Sequence, residues 1–165
     1  MKTPTLFPTQ EELKSKFDYI DGKLVWKIKT KRANVGDLAG TLHPNGYMRT
    51  GLNGHCHLNH RLIFMWHYGF FPEIVDHIDG NKLNNSIENL RPATQIQNQQ
   101  NQKIRKENTS GYKNVSLCPQ TKKWKVSIKL NGKDIRFGRF DDIELADLVA
   151  QEARAKYHGE YARNH

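Results

Sequence analysis

Short apolar and aromatic runs broken by Asx-Gly pairs constrain this chain more than any other feature. Asp21-Gly22 separates Tyr19-Ile20 from Leu24-Val25-Trp26, and Asn53-Gly54 sits at the tip of an alternating stretch from Gly46 to His57. Asp79-Gly80 follows Val75-Asp76-His77-Ile78, and Asn131-Gly132 joins Trp124–Leu130 to Ile135–Phe140. Such pairs tolerate the positive φ angles of tight turns, so each predicts a turn between strands. Helical periods fill the intervals. Thr9 and Glu12 have capping-box spacing ahead of Leu13 and Phe17. His60–Gly69 places Leu62, Met65 and Trp66 on one face, with Gly69 as a stop. Asp141 or Asp142 opens a last helix whose apolar face is Ile143, Ala146, Ala150, Ala153 and Tyr157, ended by Gly159.

The fold class these patterns predict is α+β, built from small sheets with helices packed on them. With 36% apolar residues and a mean hydropathy of −0.80, a single large core is not expected. Residues 1–70 read as a hairpin and helix region that supports a core, and its basic cluster at Lys27–Arg32 reads equally as a phosphate contact or as a solvated loop. Residues 71–102 form that core, with Ile87–Arg91 as a return strand and a helix starting at Pro92-Ala93-Thr94. Ile96 is the lone apolar residue in TQIQNQQNQ, so this helix must be held by packing from outside. Residues 103–110 read as a basic linker. Residues 111–165 read as three strands (Tyr112–Val115, Trp124–Leu130, Ile135–Phe140) backed by one helix, with Lys125, Ser127 and Lys129 on the outer face.

Charge sharpens the division. The chain carries a formal +9, but residues 71–98 are net −2 between segments of +5 (1–70) and +9 (99–140). Cationic flanks suit a polyanion, and a local anionic island suits a divalent cation. Cys56 and Cys118 lack CxxC spacing, and His55, His57, His60 and His67 offer no second pair at ligand spacing. No structural zinc is therefore expected, and a reducing, cytoplasmic setting is. MKTPTLFPTQ has no apolar run of a signal peptide, and no segment is long enough to span a membrane.

The island carries chemistry suited to phosphodiester hydrolysis. In-line displacement needs a base for the attacking water and a counter-charge at the leaving oxygen, on opposite sides of phosphorus. Adjacent strand residues such as Asp76 and His77 point in different directions. Histidine titrates near neutrality and serves as a base. A carboxylate and an amide oxygen, Asp76 and Asn98, suit Mg²⁺, which keeps several waters. Asn89, on the return strand, can fix the His77 ring by a hydrogen bond.

At Asp76-His77, Asp79-Gly80, Asn89-Leu90-Arg91 and Asn98 the chain resembles the HNH nucleases, in the subfamily common among phage-encoded homing endonucleases. The resemblance implies a ββα-metal fold, His77 as general base, Asn89 as its orienting partner, and Asp76 and Asn98 as ligands of one divalent metal, Mg²⁺ or Mn²⁺. Ser110–Val115, Lys123–Val126, Phe137–Phe140 and Ala146…Ala150…Ala153…Tyr157-His158-Gly159 resemble the APETALA2-type DNA-binding domain. That implies Lys113, Lys125, Lys129, Arg136 and Arg139 as DNA contacts, with Lys123 and Trp124 in the same motif. Lys103, Arg105 and Lys106 add linker contacts. The expected activity is cleavage of double-stranded DNA in a host cytoplasm by a monomer, with a homodimer as the alternative state. The alternative function is a non-cleaving DNA-binding regulator on a decayed HNH fold.

Overall fold

The computed structural model describes residues 7–130 and 132–164, and the chain divides after Ala93 into two compact units. In the first, α1 (Gln10–Lys16) begins at Thr9, whose Oγ1 accepts from the Glu12 N–H at 3.2 Å. The Glu12 carboxylate is held as well by Lys16 Nζ and Asn53 Nδ2, each at 2.7 Å. Next, β1 (Phe17–Ile20) and β2 (Lys23–Trp26) pair through a turn with φ of 46° at Asp21 and 76° at Gly22. A three-stranded sheet follows, β3 (Thr41–Leu42), β4 (Met48–Leu52) and β5 (His55–Leu58), then α2 (Asn59–Tyr68), which ends at Gly69 with φ 77°. Gly40 permits β3 to dock: a Cβ there would stand 2.8 Å from both Arg49 O and Thr50 Oγ1. Leu13, Phe17, Leu24, Leu62, Ile63, Phe64, Val75 and Leu90 form the core.

The unit closes on β6 (Ile74–His77) and β7 (Leu90–Ala93), an antiparallel pair. This corrects the expected boundaries. Ile87–Asn89 is a 3-10 turn, and the return strand starts at Leu90 and runs through Pro92. A proline is accommodated because a two-stranded sheet consists of edges, where a missing N–H breaks no ladder. The next helix begins only at Gln95, capped by Thr94.

The second unit contains that helix, α3 (Gln95–Gln100), followed by β8 (Val115–Leu117), β9 (Trp124–Leu130), β10 (Lys133–Phe140) and α4 (Ile143–His158). The sheet order is β10-β9-β8, all antiparallel. β8 starts later than the sequence suggests, since Asn114 takes φ 68° and breaks the extended run. Of the predicted Asn131-Gly132 turn, Asn131 lies outside the described residues, and Gly132 has φ 79°. Val115, Val126, Ala146 and Ala150 are the core, with Trp124, Phe137, Phe140 and Ile143 packed around them. Small alanines let α4 lie close to the sheet. Asp142, rather than Asp141, caps α4, its Oδ1 accepting from the Glu144 and Leu145 N–H groups at 2.7 and 3.0 Å. Among the described residues no helix is long and apolar enough to cross a membrane.

Candidate functional site

The β6–β7 ladder sets the registers Asp76↔Arg91 and His77↔Leu90. Asp76 and His77 are both buried, at 5% and 4% exposure, which makes their partners decisive. Nε and Nη2 of Arg91 each lie 3.0 Å from Oδ2 of Asp76, so cross-strand pairing delivers the counter-charge. His77 Nε2 lies 2.8 Å from Oδ1 of Asn85, itself buried.

Residues 78–89 form a loop organised on Asp79. Its carboxylate accepts from the Asn81 N–H (2.7 Å), Asn84 Nδ2 (2.7 Å) and Asn89 Nδ2 (2.9 Å). Partial burial pushes the Asp79 pKa upward, but the bonds from Asn84, Asn81 and Asn89, with the nearby His77, hold it below the usual carboxylate range. Asn89 also accepts from the Asp79 N–H at 3.0 Å and donates to Asn84 O at 2.8 Å. The hydrogen bonds of the Asn89 amide therefore bind the loop, and Asn85 makes the contact to the His77 ring that was expected of Asn89. Asn81 and Asn84 turn their side-chain oxygens back on the chain, accepting from the Leu83 and Ser86 N–H groups at 3.1 and 3.4 Å, whereas Asn85 turns to the ring. Nothing in its sequence position distinguishes it from its neighbours, because the difference is burial.

The loop is held from the N-terminal hairpin. Tyr19 Oη accepts from the Ile87 N–H at 3.0 Å, and a Cβ on Gly22 would stand 3.0 Å from Ser86 N. Across the ring lies a residue to which the sequence assigned no role: His60 on α2, buried, its ring centroid 4.9 Å from that of His77 at 63°. Burial, then the positive fields of His77 and Arg61, push the His60 pKa down to about 3, so it stays neutral beside the candidate base. Tyr47 packs on His60 at 5.1 Å and carries Lys82 Nζ over its own ring at 4.6 Å. Burial and the Asp76 charge raise the Tyr47 phenol.

Asn98 lies on α3, in the second unit, half-buried. The expected DNA residues divide by environment. Lys103, Arg105 and Lys106 lie between α3 and β8, on the stretch that was expected to be a linker. Lys125 stands opposite Arg139, Ser127 opposite Arg136 and Lys129 opposite Asp134 across the β9–β10 ladder. Lys123 Nζ pairs with Asp141 at 2.9 Å, and half-buried Trp124 packs against the core. Lys113 Nζ donates to Gln100 O and Gln102 O, both at 2.7 Å. Burial, with Arg154 and Arg163 nearby, pushes its pKa down to about 8. Among the described residues no three His, Cys, Asp or Glu side chains gather as a metal cluster.

Residues 57–100 match the HNH endonuclease family. The chain is also 37% identical, over 89 residues, to Protein 3.8 of Escherichia phage T7, an alignment covering 54% of this chain and 73% of that protein. No solved structure matches it.

Proposed function

This chain belongs to the HNH endonuclease family, and from that premise we propose that it is a metal-dependent endonuclease hydrolysing phosphodiester bonds in double-stranded DNA. The observation that carries the proposal is the buried His77 with Nε2 2.8 Å from Asn85 Oδ1. An amide oxygen accepts only, so in the neutral ring Nε2 bears the proton and Nδ1 keeps the lone pair. Nδ1 is then the atom that takes a proton from the attacking water. Neutral His60 walls the ring without competing for that proton, and the Asp79–Asn89 clasp fixes the loop that carries Asn85.

Asp76 and Asn98 are the proposed ligands of one divalent metal, Mg²⁺ or Mn²⁺. HNH nucleases generally use a divalent metal. The donor chemistry fits, since a carboxylate and an amide oxygen are hard ligands and Arg91 fixes the Asp76 carboxylate from one side. When bound, such an ion stabilises charge on the leaving oxygen. Arg91 orients the carboxylate, and Thr94, with its reciprocal capping box to Gln97, starts the helix that carries Asn98.

DNA contact is proposed for the outer face of β8–β10, in the manner of an APETALA2-type sheet, and for Lys103, Arg105 and Lys106. Lys125 and Arg139 support this: like charges directly opposite on a sheet repel, and a phosphate between them removes the penalty. A homing-type role and a monomeric state in a host cytoplasm complete the reading; the phage relative supports a phage setting. The rival, a non-cleaving regulator, would have no need of an oriented histidine.

Supercoiled plasmid carrying the native target, incubated with Mg²⁺ or Mn²⁺ at low salt, should be nicked or linearised, and EDTA should stop the reaction. His77→Ala should lose at least about 10²-fold in rate. Intact plasmid with the wild-type protein would overturn the enzyme reading, and faster cleavage of single-stranded RNA would change the substrate.

A further inference from the structure

α3 is a helix with little of its own to hold it. It has six residues, none of them buried, and Ile96 is 49% exposed. Isolated helices of this length do not persist in water, so its ends must be fixed from outside. The Thr94–Gln97 capping box fixes the start. At the other end the ammonium of Lys113 reaches back across the sequence to Gln100 O and Gln102 O. A cation at a helix C-terminus both satisfies orphan carbonyls and opposes the helix dipole.

Lys113 is anchored in turn. Arg154 of α4, fully buried, donates from Nη1 to Lys113 O at 2.6 Å, from Nε to Asn164 Oδ1 at 3.0 Å, and faces Asp147 across 3.7 Å. The chain of contacts therefore runs from α4 through Arg154 and Lys113 to the end of α3. Placing a lysine in this way is costly, since burial and two neighbouring guanidinium groups disfavour its charge. Its two strong acceptors offset that cost.

We infer that Lys113 is a positioning residue for α3 and for Asn98 upon it. Only the functional half of this role rests on the reading of Asn98 as a metal ligand; the clamp itself is independent of that reading.

The test uses the full chain with Lys113→Met, which keeps the stem and removes the donors, and Lys113→Arg, which keeps the charge. Amide hydrogen exchange at Asn98, Asn101 and Gln102 should accelerate at least about tenfold in Lys113→Met, with smaller change in Lys113→Arg. Mn²⁺ affinity should fall about 10- to 100-fold, the range for loss of a group that orients a ligand. kcat should fall with it, while DNA affinity and its salt dependence stay near wild type. Unchanged α3 exchange with weakened DNA binding, and a salt slope reduced by about one, would make Lys113 a phosphate contact and overturn the inference. Loss of the second unit's thermal transition in Lys113→Met would overturn it also, since Lys113 would then hold the unit and not the helix. If the wild type binds no Mn²⁺ yet Lys113→Met frees α3, the clamp stands and the metal-site reading falls.

Discussion

Oδ1 of Asn85 stands 2.8 Å from Nε2 of His77, and both residues are buried. The ring can therefore present Nδ1 in one direction only. Asn85→Ala should lower kcat on the order of 10²-fold, the usual cost of misplacing a reacting group by about an ångström. DNA affinity should stay unchanged, as Asn85 carries no charge. A kcat within about threefold of wild type would show that the ring is held by something else.

Arg91 and Asp76 form a buried ion pair in the first unit. Arg91→Met should destabilise that unit by about 3 to 5 kcal/mol, because it removes the cross-strand counter-charge of a buried carboxylate. Asp76→Asn combined with Arg91→Met should recover much of the loss while remaining inactive. Thermal denaturation of the single and double variants measures this, and additive losses in the double variant would refute the pairing.

Gly22 is tied to the active loop by space. Its φ is 76°, and a methyl group added to it would sit 3.0 Å from Ser86 N, so Gly22→Ala should cost about 1 to 3 kcal/mol. Activity should fall further than stability alone accounts for, because the displaced Ser86 adjoins Asn85. Cleavage rates measured well below the melting temperature separate the two effects.

How much of this could be read from the residues depended on range. The Asp21-Gly22 and Asn53-Gly54 turns, α2 with its Gly69 stop, and all of β9 follow from local periodicity and turn chemistry, and they appear where the pattern put them. Pro92 misled, because its preference for a helix start is local and its place in β7 is set by pairing with Val75. The two-residue β3 has too few residues for any period. At the site, Asp76 and His77 stand out by type and adjacency, but Asn85 is distinguished from Asn81 and Asn84 only by burial beside a ring eight residues away. Lys113 was legible as a cation and not as a clamp, since its acceptors are backbone carbonyls.

His60 makes the first unit sensitive to acid. Its pKa is about 3 in the fold, and about 6.5 is usual for an unfolded chain. A depressed value means that the unfolded state takes up the proton first. The His60 contribution is fully present above pH ~6.5 and is lost progressively as pH falls toward ~3, in total several kcal/mol. His57, His67 and His158 are lowered by burial too and share the sign. Chemical denaturation of wild type and His60→Gln from about pH 7 to about pH 4 isolates the contribution: the gap between them should shrink as pH falls. A constant gap would mean that His60 is not buried neutral.

The Lys125 and Arg139 pair predicts a salt signature. Replacing both with Gln should reduce the slope of log affinity against log salt by about two and weaken binding to all duplex sequences alike. A change confined to one sequence would instead mark base readout.

The docking of the N-terminal hairpin on the 84–87 loop has a consequence for when the protein becomes active. Tyr19 and Gly22 touch residues more than sixty positions downstream, and the orientation of His77 depends on that loop. A chain whose hairpin has not yet closed holds a histidine but no aimed base. On the proposed nuclease reading, competence to cut therefore depends on these long-range contacts, and loosening the hairpin should abolish cleavage before the first unit unfolds.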